Sequence, residues 1–148
     1  MNFTEENQIQ NTRLRSILGR LQSGEWNKNL GADWTVGTMI CHLAFWDRMT
    51  SVRLRLRLKN GSFAGVPDGD TVEALNDTVR LMSASIDQAA GSKLATDAAD
   101  EIDSITAALS PEQIQELLAT GRERWLRRHL HRQTHLDRIE KALAENNS

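Results

Sequence analysis

The segment Asp33-Trp34-Thr35-Val36-Gly37-Thr38-Met39-Ile40-Cys41-His42-Leu43-Ala44-Phe45-Trp46-Asp47-Arg48-Met49 leaves its chain few ways to fold. At helical spacing Val36, Ile40, Leu43, Asp47, Thr50 and Leu54 form one stripe, and Met39, Trp46 and His42 carry it round one flank. A helix apolar over so much of its circumference is buried on more than one side, so it becomes the core element and needs other helices about it. Asp33 or Thr35 caps its start. One histidine, His42, thereby enters an otherwise apolar surround.

The rest of the chain supplies helical partners. Thr4 can cap a first helix over 4–22, with Ile9, Leu14, Ile17, Leu18 and Leu21 on its stripe before Ser23-Gly24 stops it. A loop follows over Glu25 to Asp33, and the core helix comes next. The alternating run Arg53-Leu54-Arg55-Leu56-Arg57-Leu58 imitates a strand, yet no second alternating run follows to pair with it. It reads as the end of the core helix, where cations suit the dipole and Gly61 suits a stop.

Ser62 to Gly69 is a surface connection, and helical spacing resumes at Asp70 with Val72, Leu75, Val79, Met82 and Ile86, then Leu94, Ala98, Ile102, Ile105 and Leu109. A straight helix over 70–109 would be about 60 Å long, so a break is expected between Ser85 and Ser92, near Gly91. Ser110-Pro111-Glu112-Gln113 combines an N-cap, a first-turn proline and a capping-box glutamine. The last helical region starts there, bends at Gly121 and carries Trp125, Leu136, Ile139 and Leu143 to about residue 144, with a fraying tail beyond.

Such a chain, 148 residues long with 2 prolines, reads as one all-α domain over 1–148 with enough length to bury a core unaided by metal or disulfide. A metal, if bound, is functional rather than structural. The lone Cys41 and the polar, acidic start point to a soluble cytoplasmic protein without a membrane partner. A net charge of -2 gives no global pull toward nucleic acid.

His131 and His135, four residues apart in the last helix, project within about 40° of each other at one turn's separation. Together with His42 they make a three-histidine metal site if the two helices face each other. Three neutral imidazoles leave coordination positions open to water or substrate, as in a catalytic centre. Zinc and nickel come first as occupants, with iron and manganese also accepting such nitrogen ligands. His129 projects away from the pair and reads as a surface residue. Cys41, turned about 100° from His42, reads as a small buried hydrophobe, and Asp47 as an arginine's partner rather than a ligand.

The cluster Arg122, Arg124, Arg127, Arg128 and Arg132 scatters round its helix and is broken by Glu123, so it reads as a solvated face rather than a nucleic-acid surface. Arg128 and Arg132 are the candidates for holding an anionic substrate group near the metal. Neither a GxSxG elbow nor a GxxxxGKS/T loop is present.

Trp34-Thr35-Val36, then His42-Leu43-Ala44-Phe45-Trp46-Asp47-Arg48, and finally His131-Arg132-Gln133-Thr134-His135-Leu136-Asp137-Arg138-Ile139 together resemble the DinB superfamily. That superfamily includes the N-terminal domain of mycothiol-dependent maleylpyruvate isomerase. Asp70 to Asn76 and Ser110-Pro111 extend the resemblance over nearly the whole chain, although the final region is short and Gly121 precedes the ligand helix.

The resemblance implies a four-helix bundle, up-down-down-up with a long connection, and frequent homodimers. It implies a divalent metal on His42, His131 and His135, the same three that the projection selects. It also implies metal-dependent thiol transfer, with a low-molecular-weight thiol as cosubstrate, or hydrolysis, acting on a small molecule. The competing expectation is a non-enzymatic metal- or small-molecule-binding stress protein on the same bundle.

Overall fold

The computed structural model, which describes residues 1–63, 65 and 67–145, is mostly helix with almost no sheet. Helix α1 spans Phe3–Arg20, α2 Val36–Asn60, α3 Gly69–Ser83 and α4 Gln88–Ala107; α5 (Pro111–Ala119), α6 (Glu123–Leu126) and α7 (Arg128–Ala144) follow. No helix among the described residues is long and apolar enough to cross a membrane.

Local chemistry sets most boundaries. Asn2, rather than Thr4, caps α1 in a capping box with Glu5. Thr35 caps α2, with Thr38 reciprocating. Gly61 ends α2 in the left-handed region at φ 75°, its N–H donating to the Arg57 carbonyl, so the alternating Arg53 to Leu58 run is helix. Ser110 and Gln113 form the expected box at α5, and Gly121, at φ 73°, turns the chain ahead of α6. Part of the α2–α3 connection, Ala64 and Val66, and the tail from 146 onward lie outside the described residues.

The break after α3 falls at 84–87, the early edge of the expected window, where Asp87 caps α4. Gly91 is not the breaking residue. It lies inside α4 because a Cβ there would sit 2.4 Å from the Trp26 ring, and Gly37 of α2 faces the same ring equally closely. Trp26, on a 3-10 turn over Glu25–Asn27, wedges between α2 and α4 and donates from Nε1 to the Ile86 carbonyl at 3.0 Å.

The expected loop before α2 also holds a small ribbon. Strand β1 (Asn29–Gly31) pairs antiparallel with β2 (Trp34–Thr35) across Ala32 and Asp33, both at positive φ. Two left-handed residues in succession make a type I′ turn. Arg138 of α7 holds the ribbon by donating to the Leu30 carbonyl at 2.9 Å.

Leu14, Ile17 and Leu18 of α1, Ile40 and Leu43 of α2, Ala95, Ala98 and Ala99 of α4, and Leu136 and Ile139 of α7 close one buried core. Helix α2 packs on α4, α3 and α7, while α1 packs on α7 and α4. The whole predicted stripe of α2 is buried, Asp47 and Thr50 included. Ile9 of α1 is instead half exposed. The inward face there carries Asn7 and Asn11, which bond the Leu126 carbonyl and the Asp100 and Asp103 carboxylates.

Candidate metal centre

Helix α2 presents His42 from its second turn, and α7 presents His131 and His135 one turn apart on the face toward α2. One ring nitrogen from each of the three lies within 4.8 Å of the other two. The closest pair, Nε2 of His42 and Nε2 of His131, is 3.1 Å apart across a sequence separation of 89. Imidazoles at about 2.0–2.1 Å from a tetrahedral metal have their nitrogens about 3.3 Å apart, so the pair is already at ligand spacing. The His135 ring stands edge-on to both others, at centroid distances of 4.7 Å, and Trp34 packs edge-on against His42 at 5.4 Å.

Burial sets the protonation of these rings. His42 is pushed down from 6.5 to about 3 by desolvation, then by the charges of His135 and Arg128. His135 is pushed down to about 4 by desolvation and Arg138, and His131 is lowered further still by desolvation and Arg128. All three are neutral at neutral pH, the form that ligates metal.

The hydrogen bonds fix where the remaining protons sit. A guanidinium only donates, so the 3.3 Å approach of Arg128 Nη2 to His131 Nδ1 makes that nitrogen an acceptor and leaves the His131 proton on Nε2. Nε2 of His42 then accepts it, and His42 carries its own proton on Nδ1, a buried atom with no hydrogen-bond partner among the described residues. His42 therefore turns a lone pair into the cluster; a cation between the two facing nitrogens would require the neutral His131 to carry its proton on Nδ1, in place of the bond from Arg128. The donor set fits a divalent metal of the nitrogen-preferring kind.

Asp47 lies beneath the histidines, as an arginine's partner. Its carboxylate accepts from Arg128 Nε at 2.8 Å and from Arg132 Nε at 3.1 Å, with all three side chains buried. Arg132 goes on to Asp103 and to the Asn7 carbonyl. Burial pulls its pKa down, but Asp47 and Asp103 together hold it above the ordinary value.

The surface His129 is thus corrected, and so is the solvated arginine face for Arg128 and Arg132, while Arg124 and Arg127 are exposed as expected. Arg132 is 0% exposed and Arg128 6%, because α2 brings Asp47 to both, and α1 and α4 bring the Asn7 carbonyl and Asp103 to Arg132, on the side of α7 that projection alone would give to water. His129 is 5% exposed, its backbone N–H donating to Asn7 Oδ1 at 2.8 Å and its Nδ1 lying 3.1 Å from the same oxygen. Cys41 is buried, its thiol pushed up to about 11 by desolvation, and it lines a different, apolar groove beside α3.

A cavity of about 450 Å³ opens over the three histidines. Arg128 lines it, whereas Arg132, assigned with it to substrate from sequence, does not. Sequence reasoning missed Arg53 and Trp46 of α2, Val72 and Asn76 of α3 and Arg124 of α6 as cavity residues; Trp46, Val72 and Asn76 lie in the stretches that carry the resemblance, but only the packing of the three helices brings these side chains to one cavity. In comparisons with known protein families, curated proteins and solved structures, nothing matches the chain.

Proposed function

We propose that His42, His131 and His135 hold a divalent metal, zinc or nickel before iron or manganese, and that the chain is a small metal-dependent enzyme of the DinB superfamily. The reading includes the up-down-down-up four-helix bundle, formed by α1, α2, α4 and α7 around the shared core, and a cytoplasmic homodimer of 16.6 kDa chains that sedimentation would detect. The observation that carries it is the convergence of three neutral imidazoles, from helices far apart in sequence, within 4.8 Å of one another.

A divalent metal there supplies Lewis acidity, lowering the pKa of a thiol or water that reaches it, which serves thiol transfer and hydrolysis alike. The chain's own residues hold the site in shape. Asp47 fixes Arg128 beside His131, and Trp34 packs edge-on against His42.

One observation favours the second reading, a non-enzymatic binding protein. Among the described residues lining the cavity there is no carboxylate, lysine, serine or cysteine to act as a base or nucleophile. Elemental analysis of untagged protein separates a filled site from an empty one: near-stoichiometric metal is expected in the wild type and a small fraction of it in His42→Ala, His131→Ala and His135→Ala. Unchanged content in the variants would overturn the ligand assignment. Turnover of a thiol with an electrophile, lost in His131→Ala, would then favour the enzyme over the binding protein.

A further inference from the structure

Every arginine of the chain but two directs its guanidinium to a protein oxygen, in ion pairs such as Arg13 with Asp137 and Arg57 with Glu116, or on carbonyls, as for Arg122 and Arg138. Among the described residues the exceptions are Arg53 of α2 and Arg124 of α6, and both line the cavity over the histidines. Arg53 has only the Trp125 ring, 5.5 Å away, and it is half-buried, where desolvation and neighbouring Arg122 both disfavour its charge. Among the described residues Arg124 has no hydrogen bond or ion pair for its side chain, yet its charge reaches His131.

No aspartate or glutamate among the described residues lines that cavity to offset them. Arg128, the third guanidinium there, is already occupied by Asp47. Asn76 adds a further donor: its Oδ1 accepts from Trp46 Nε1 at 2.7 Å, which leaves its NH₂ for an acceptor. Trp46 and Val72 give the same cavity an apolar wall. Unpaired guanidiniums converging from two helices match the flat, two-oxygen edge of a carboxylate or phosphate.

We infer that the cavity takes a small organic anion, a carboxylate or phosphate ester, whose charged end lies between Arg53 and Arg124 and whose body rests on Trp46 and Val72 over the histidines. This deepens the metal-site reading by naming a substrate class for the same cavity, yet the arginine anchor itself does not need the metal. It also moves the anion contact from Arg128 and Arg132, which are held by Asp47, to the two arginines that are not.

The test is calorimetric titration of zinc-loaded and metal-stripped protein, at one ionic strength, with benzoate, phenyl phosphate and neutral benzamide. At least one anion is expected to bind about tenfold or more tightly than benzamide, the size of one charge-assisted hydrogen bond. The tighter of the two identifies carboxylate or phosphate as the preferred group. In Arg53→Gln and Arg124→Gln that preference is expected to fall by about tenfold, with benzamide binding and zinc content unchanged.

Equal binding of anions and amide, or a preference that survives both substitutions, would overturn the inference. Zinc bound without anion preference refutes the anion site alone. Preference in a protein that takes up no zinc refutes the metal reading alone.

Discussion

At the residue scale the site depends on charges taken out of water in matched sets. Arg132 sits fully buried between Asp47 and Asp103, and removing one member of a buried ion pair leaves the others uncompensated at a cost of about 3–5 kcal/mol. Arg132→Met is therefore expected to lower the melting temperature by roughly 10 °C, read by calorimetry; a loss within error would mean that Asp47 and Arg128 suffice as a pair. The histidines make the metal-free protein acid-sensitive. Folded His42 and His135 titrate at about 3 and 4, whereas in the unfolded chain they take protons near 6.5, so protons favour unfolding between those values. Stability of chelator-treated protein is expected to be full above pH 6.5 and to fall as pH drops toward 4. A melting temperature flat over that window would show that the rings are not held neutral.

The elements are joined by close approach as much as by apolar area. Trp26 fits between α2 and α4 only because Gly37 and Gly91 have no Cβ, and that fit sets the spacing of the helix carrying His42. Gly91→Ala should cost about 1–3 kcal/mol by overpacking, although alanine is intrinsically the better helix former. Gly19 of α1 provides the opposite case, since nothing lies within 4 Å of where its Cβ would sit. Gly19→Ala is expected to be neutral or to stabilise by up to about 1 kcal/mol. Denaturant midpoints that shift the same way in both variants would contradict the wedge. The ribbon plays a similar part at the other end of the site, since β2 carries Trp34 against His42 while Arg138 ties β1 to α7.

On the scale of the whole molecule, the histidines cross-link α2 to α7 over 89 positions of sequence. A ligand that binds only the folded chain stabilises it by about 2.7 kcal/mol at a hundred times its dissociation constant. Added zinc is accordingly expected to raise the melting temperature of the wild type by roughly 5–10 °C, with chelator reversing the shift and His42→Ala abolishing it. An equal shift in His42→Ala would place the metal elsewhere.

Periodicity, caps and glycine stops were enough to determine, from sequence alone, a helical chain, the extent of α2, the capping box of α5 and the pairing of His131 with His135, because each depends on neighbours within about a turn. The same local rules selected His42, since the spacing of Val36, Ile40, Leu43 and Leu54 orients α2 without reference to any partner. Which other faces meet water was decided by tertiary packing alone. His129, Arg128 and Arg132 are buried because α1, α2 and α4 bring Asn7, Asp47 and Asp103 to them, and Arg53 and Arg124 share a cavity only because α2 and α6 converge there. A helix's own sequence sets the direction of each side chain, but whether water, carbonyl or carboxylate waits in that direction belongs to the helices packed against it.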